Sequence, residues 1–406
     1  MFVACRGLAK SLQHSINERN GPRPRELTRL SEGAADSTAP GRSVPAPTAR
    51  LRLDEEVEMT GGASPTPSPS ARRWGEHDLG RTEIRDTYRA DLRPTTRDVF
   101  AASRPVDFAT LDWRDIGRPH RVENWAAARL SWEAGNGRTL PVPDAWKMFN
   151  RSFQHLFDTD PVAARAEAFR AAGIRLRRAE LDAARRAIGE VARWTVWNQA
   201  HRVGDTVWDP RAKRSLFDGL DLRRPRVLFL GAADGYEAML LSAMYPGGES
   251  VLVDYDDYCR DHRFGSFPTD YPFLGVDPAT GSPRVWHRDQ MDLSYLVSDI
   301  RDLDFGPEFD VVVSIGLVEH FPDEHKPEAF DWHRRFLRPG GYAILTTPRV
   351  ALRTRMFYRL FGDLMNFSYR ELQTVEQLGL YAHENGFEVL RHGEIKTHNG
   401  VVCRPR

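Results

Sequence analysis

The sequence predicts an α/β fold built on a parallel sheet, and three observations carry that expectation. After Arg226, residues 227–230 form an apolar run that breaks into Gly231-Ala232-Ala233-Asp234-Gly235 and restarts as Tyr236-Glu237-Ala238-Met239. That is the pattern of a buried strand, a tight turn and a helix. A second apolar strand, Ser250-Val251-Leu252-Val253, ends one βα unit later in Asp254. Further apolar runs at 309–315 and 342–347 have the length and spacing of strands in the same sheet.

The turn comes first because it predicts a ligand. In a parallel sheet the crevice lies at the carboxyl ends of the strands, and an acidic residue ending the second strand can take both hydroxyls of a ribose. Glycine is needed where the backbone turns sharply toward a ligand. A dinucleotide would require G-x-G-x-x-G, so that a pyrophosphate could rest on bare backbone. Here Ala233 stands at the second glycine position, and Asp234 would set a negative charge beside the phosphates. A nucleoside without phosphates and with a positive centre suits that turn better, and S-adenosylmethionine (SAM) is such a molecule.

The downstream strands extend the pattern. Leu296-Val297-Ser298-Asp299-Ile300-Arg301 places a carboxylate just past a third strand. A fourth, at 309–315, runs into Gly316-Leu317-Val318-Glu319-His320-Phe321. Leu337-Arg338-Pro339-Gly340-Gly341 then leads into a fifth. In order and spacing, these motifs resemble those of the class I SAM-dependent methyltransferases over about residues 223–406. The resemblance implies a Rossmann-like, seven-stranded methyltransferase sheet with SAM as cofactor. It implies cofactor contacts at Gly231, Ala232, Ala233, Asp234, Gly235, Asp254, Tyr255, Asp299, Ile300, Ser314, Ile315 and Gly316. The closing segment, 369–403, is similar to the last helix and antiparallel strand pair of that fold.

Two positions depart from the family. Phe229 stands where an acidic residue is usual, which removes a carboxylate that orders the turn near the methionine end of the cofactor. Ala233 stands where glycine is frequent, a milder change. The Gly-Ala-Ala-Asp-Gly-Tyr run is also similar to a subgroup with Thr-Ala-Asp-Gly-aromatic behind a Trp-rich helix, some of whose members modify tRNA.

Transfer from an activated sulfonium methyl asks mainly for alignment and exclusion of water. A hydroxyl acceptor also profits from a general base. The candidates follow the fourth strand: Glu319, His320, Asp323 and His325, with His320 preferred because it faces the crevice and Glu319 beside it. His287, His333, His383 and His398 read as ordinary surface or core histidines.

Composition narrows the rest. Lys+Arg and Asp+Glu balance at 57 each, so no global charge favours nucleic acid or an anionic membrane. The cysteines, Cys5, Cys259 and Cys403, lack a C-x-x-C spacing, so neither a disulfide scaffold nor a structural zinc site is indicated. Cys259 and His262 read as a free thiol and a surface histidine, and no metal is expected. No apolar run reaches the roughly 20 residues of a membrane span, and a cytoplasmic protein is expected.

Three regions are expected along the chain. Residues 1–85, rich in Pro, Ser, Ala and Gly, read as a disordered N-terminal tail, of which 1–58 would be an over-extended start if translation begins at Met59. Residues 86–205 read as an N-terminal helical domain that serves as a lid. Asp160-Pro161 starts one helix, apolar spacing at 179–201 marks another, and seven of the ten tryptophans lie between Trp113 and Trp208. Trp194, Trp197 and His201 are placed to reach the crevice. Residues 206–406 read as the SAM-binding domain, with an aromatic-rich insertion between Asp256 and Ser294 expected to be an ordered loop near the substrate.

The expected function is methyl transfer to an O, N or C atom of a small-molecule acceptor. RNA modification is the alternative inside the enzyme class, with the arginines between Arg175 and Arg186 as footprint. Outside catalysis, the alternative is a methyltransferase-like scaffold.

Overall fold

The computed structural model describes residues 100, 103–149, 173–175, 177–183, 210–365 and 367–406. The expected tail, the helix at Asp160-Pro161, and Trp194, Trp197 and His201 lie outside the described residues, as does the boundary at 205/206. The chain runs first through α1 (Trp113–Ile116), β1 (His120–Glu123), α2 (Ala126–Asn136) and α3 (Val142–Phe149). After α4 (Pro210–Phe217) come β2 (Arg226–Leu230), α5 (Tyr236–Met244) and β3 (Glu249–Asp254). Next follow the hairpin strands β4 (Phe273–Val276) and β5 (Pro283–Trp286), then β6 (Asp292–Val297) and β7 (Phe309–Ile315). The remainder is α6 (Lys326–Arg335), β8 (Leu337–Pro348), α7 (Leu352–Met365), β9 (Tyr369–Leu372), α8 (Val375–Glu384), β10 (Phe387–Ile395) and β11 (His398–Pro405).

A seven-stranded sheet in the order β10-β11-β8-β7-β2-β3-β6 organises the molecule. Strands β8, β7, β2, β3 and β6 pair in parallel, and β11 and β10 join antiparallel at one edge. This is the Rossmann-like, seven-stranded and mostly parallel sheet expected from the sequence. Central β2 is buried on both faces, which explains its unbroken apolar run. Val227 and Phe229 point into the core beside α5, while Leu228 and Leu230 point into the opposite core with Phe330, Trp332 and Phe387.

The expected loop after β3 has more order than its sequence signals. A π-helical turn at Cys259–Phe264 leads into the β4–β5 hairpin, Tyr271 and Phe273 pack on Tyr236, and Phe267 packs on both of them, so that all three join its core. The hairpin backbone lies directly on α5. A Cβ at Gly275 would stand 1.8 Å from the Ala243 carbonyl oxygen, a backbone atom that cannot swing aside. Gly275→Ala is therefore expected to cost about 2–3 kcal/mol, at the upper end of overpacking effects, read as a lower urea midpoint. An unchanged midpoint would show that the hairpin floats free of α5.

The described N-terminal segment packs on elements from the C-terminal half of the chain, outside the seven-stranded sheet. β1 pairs antiparallel with β9, His120 opposite Leu372 and Glu123 opposite Tyr369. Trp113 Nε1 donates to Glu384 Oε1 at 2.9 Å, and its ring lies 4.5 Å from that of Tyr381 on α8. A small core of Trp125, Leu140, Val142 and Ala145 is closed by Tyr369 from the C-terminal half. It fixes α3 over the carboxyl ends of the parallel strands.

Candidate active site at the carboxyl ends of the parallel strands

Strands β2, β3 and β7 end around one continuous cavity of about 320 Å³. One end is built by the glycine turn. The register that sets Leu230 opposite Val253 brings the turn beside Asp254, and Ala232 N–H donates to the Val253 carbonyl at 2.9 Å. Gly235 takes φ +74°, and a Cβ there would collide with Leu252 at 2.3 Å. Ala233 adopts a left-handed φ of 50°, a conformation that costs a residue with a Cβ about 1–2 kcal/mol. The departure from glycine at this position therefore stores strain in the turn.

Hydrogen bonds hold the strained turn in place. Asp254 Oδ2 accepts from Ala233 N–H at 3.1 Å, and Oδ1 accepts from Asp256 N–H at 3.2 Å. Tyr295 donates its hydroxyl to the Ala233 carbonyl at 3.0 Å, and Asp234 Oδ1 accepts from Tyr236 N–H at 3.2 Å. Burial raises the Asp254 carboxyl above its ordinary range, against the opposing pull of the two N–H groups. Arg263, from the π-helical turn, interacts electrostatically with Cys259, Asp234 and Asp254.

Gly231, Ala232, Ala233, Asp234, Asp254, Tyr255, Asp299, Ile300, Ile315 and Gly316 all border the cavity, and Glu319 and His320 lie at its far end. Gly235 and Ser314 are not part of its wall. Gly235 packs behind the turn against Leu252 and Phe264. Ser314 is fully buried with its Oγ 2.8 Å from His333 Nε2. The His333 Nδ1 lies 2.8 Å from the Ala329 carbonyl, which can only accept, so Nε2 takes the serine proton. The structure thus does not bring Ser314 together with the other expected cofactor residues at the cavity. Successive strand residues face opposite sides, and Ser314 faces α6.

Asp299 lines the cavity with its carboxylate already engaged. It accepts from Arg301 N–H at 2.9 Å, from Arg301 Nη2 at 2.9 Å and from Lys147 Nζ at 2.7 Å. Burial pushes its pKa up, but the hydrogen bonds from Arg301 and Lys147 outweigh that and hold the carboxyl far below its usual range. Lys147 belongs to α3, whose Pro143 and Trp146 also line the cavity, and Asp144 of the same helix pairs with Arg301 at 2.9 Å. Within the described residues the cover over the crevice is therefore α3. The Lys147 side chain is 45% exposed, so Lys147→Met is expected to change stability by less than about 1 kcal/mol, measured by thermal unfolding. A larger loss would mean that this pair anchors the fold and not only the cover.

The other end is aromatic and is surrounded by buried charged or titratable groups. The 3₁₀ turn Val318–His320 presents Glu319 and His320, and buried Lys326 pins the turn by donating to the Val318 carbonyl at 2.7 Å while pairing with Glu371 at 3.0 Å. His320 Nδ1 lies 2.6 Å from the Tyr369 carbonyl, so Nδ1 carries the proton and Nε2 presents a lone pair 3.8 Å from Glu319 Oε1. The Trp146 ring stands 4.0 Å from the imidazole. Burial, then the charges of Arg370 and Lys326, push the His320 pKa well down, and the ring is neutral. Burial pushes the Glu319 carboxyl up to about 8, although Arg370 and Lys326 pull the other way. Its Oε2 is buried and has no hydrogen-bond partner among the described residues. Phe321, Trp332, Phe357 and Tyr358 complete the wall.

Several of these groups are not singled out by the sequence. Lys147, Lys326 and Arg370 sit in mixed polar stretches that look like solvated faces. Glu237 did leave a signal. It is the one charge in a helix that is otherwise apolar on every side, and such a helix is buried. His398, expected to be ordinary, lines the cavity as a buried residue.

Among the described residues no three His, Cys, Asp or Glu side chains are grouped to hold a metal ion, and no helix is long and apolar enough to cross a membrane. Residues 193–392 match the family model described as a methyltransferase domain. The search of curated proteins found no match. Among solved structures, the chain is similar to a possible exported protein from Bordetella parapertussis, at 20% identity over 48% of this chain and 65% of that one, with TM-score 0.36. It thus spans just under two thirds of that protein. It is similar to the Burkholderia thailandensis 1,6-didemethyltoxoflavin-N1-methyltransferase, bound to 1,6-didemethyltoxoflavin and S-adenosylhomocysteine, at 12% identity over 45% and 72% of the two chains and TM-score 0.31. It is also similar to human N-acetylserotonin methyltransferase in complex with SAM, at 14% identity over 68% of both chains and TM-score 0.36.

Proposed function

We propose that this chain is a SAM-dependent methyltransferase acting on a small-molecule acceptor. The observation that carries the reading is the continuity of one cavity. Its first end has the backbone turn and buried carboxylate that suit a nucleoside, and its second is a covered aromatic chamber with an unsatisfied carboxyl oxygen. The residues present fit the cofactor. Asp254 spends one lone pair of each oxygen on a backbone N–H and keeps others for a ribose diol. The small side chains of Gly231, Ala232 and Gly316 leave room for close approach. Bound there, SAM supplies a methyl group already activated by its sulfonium.

The protein's own part is to orient, to exclude water and to hold a proton. Trp146, Phe321 and Trp332 shield the chamber, and water kept out of it cannot compete with an acceptor. Glu319 is the proton acceptor for a hydroxyl acceptor, in place of the expected His320. The His320 lone pair faces Glu319, and burial has made the imidazole a weak base. We assign residues 206–406 as the cofactor-binding domain, 86–205 as the accessory region and 1–85 as a tail. Cys259 and Cys403 are free thiols, in keeping with a cytoplasmic location. Calorimetric titration with SAM and S-adenosylhomocysteine tests the reading, followed by acceptor screening for S-adenosylhomocysteine release. Micromolar binding supports it, and folded protein that binds neither overturns it.

A further inference from the structure

We propose that Lys213 and Glu237 form the subsite for the amino-acid head of the cofactor, Glu237 facing its ammonium and Lys213 its carboxylate. The inference rests on the SAM reading above. Lys213 of α4 and Glu237 of α5 form an ion pair, both side chains are buried, and both line the cavity. A buried ion pair is a costly substitute for apolar packing and adds little stability by itself, so a pair at a cavity wall calls for a ligand.

The surroundings say which ligand. Phe229 lines the cavity at the end of β2 and brings no charge. The buried carboxylate comes from the first turn of α5 instead, just past the glycine turn. The Lys213 ammonium lies 4.9 Å from the centre of the Tyr236 ring, which fixes its position from one side. His398 lines the same stretch of wall, and burial, then the Lys213 charge, hold its pKa well down, so it adds no second cation. The wall therefore offers one anion and one cation side by side. An α-amino acid head carries the complementary pair, and it exchanges one ion pair for two without changing the net charge buried. A phosphate or a simple amine would leave one of the two partners uncompensated.

The test is a titration of the full chain with three ligands that differ only in the head. S-adenosylhomocysteine carries both groups, its decarboxylated analogue keeps only the amine, and 5′-methylthioadenosine has neither. Glu237→Gln is expected to weaken the first two by about 10- to 100-fold and to leave methylthioadenosine unchanged. Lys213→Met is expected to weaken only S-adenosylhomocysteine, by a similar factor. Either variant alone decides the matter if the other does not fold, because each is scored against ligands that lack the group it faces. Equal weakening of all three ligands, or of none, overturns the proposal while leaving the SAM reading in place. Wild-type protein that binds none of them overturns both.

Discussion

Asp254→Ala is expected to abolish cofactor binding at micromolar concentrations. The carboxylate is buried at the end of β3 and already organises the turn through Ala233 and Asp256 N–H. A ribose diol would add two hydrogen bonds to a charged acceptor, each worth about 1.5–3 kcal/mol. Losing both costs about 3–6 kcal/mol, which raises Kd by about a hundredfold or more. The substitution also strands two backbone donors and frees a turn in which Ala233 holds a left-handed conformation. Asp254→Asn is the control, since it keeps an acceptor for the turn and loses the charge. Calorimetry with S-adenosylhomocysteine on protein whose circular dichroism matches wild type reads the effect. An unchanged Kd in folded Asp254→Ala would remove the ribose from this strand end.

Glu319→Gln carries the second large effect and gives two separate readouts. With a hydroxyl acceptor, kcat is expected to fall by about 10²–10⁴, the usual contribution of a positioned base. Below pH about 8 the wild-type carboxyl is mostly protonated, so the wild-type rate rises with pH through that value. The variant loses the rise, while its affinity for S-adenosylhomocysteine changes little. A rate that is unaltered and equally pH-dependent in the variant would take the proton-transfer role away from Glu319.

The stability readout needs no acceptor. The unfolded chain releases this proton near 4.5 and the folded chain near 8. Between those values the folded state binds more protons, so the contribution of the neutral acid is complete below 4.5 and is lost as pH rises through 8. Glu319→Gln cannot ionise, so its melting temperature relative to wild type is expected to climb across that window. A constant difference between the two proteins would mean that Glu319 is ionised in the folded state at neutral pH.

Much of the crevice was legible because its signals are local. The glycine turn, Asp254 and the turn after β7 each lie within a few residues of the strand that aims them, and strand-to-turn transitions follow from short-range sterics and apolar patterning. Which side of β7 Ser314 faces was not legible, because a strand buried on both faces shows no alternation that tells the cavity side from the α6 side. The cover was harder still. Asp144 and Arg301, 157 positions apart, meet only because α3 is laid over the turn that follows β6, and no local pattern records such a meeting. The hairpin in the insertion escaped for a related reason. Its strands are four residues each, and their apolar side chains are placed by α5, not by their own periodicity.

The pairing of β1 with β9 carries a consequence for the order of folding. Residues 120–123 find their partners at 369–372, so the cover cannot seat until nearly the whole chain has left the ribosome. Loop closure over that span is slow, and non-local pairing of this kind lengthens folding times. The Tyr369 carbonyl that sets the His320 tautomer belongs to the late strand as well. A nascent or C-terminally shortened chain can thus complete β2, β3 and β6 with their turn while the acceptor chamber still lacks its cover. Competence for nucleoside binding should precede competence for transfer during synthesis, so a chain released early would sequester the nucleoside without turning it over.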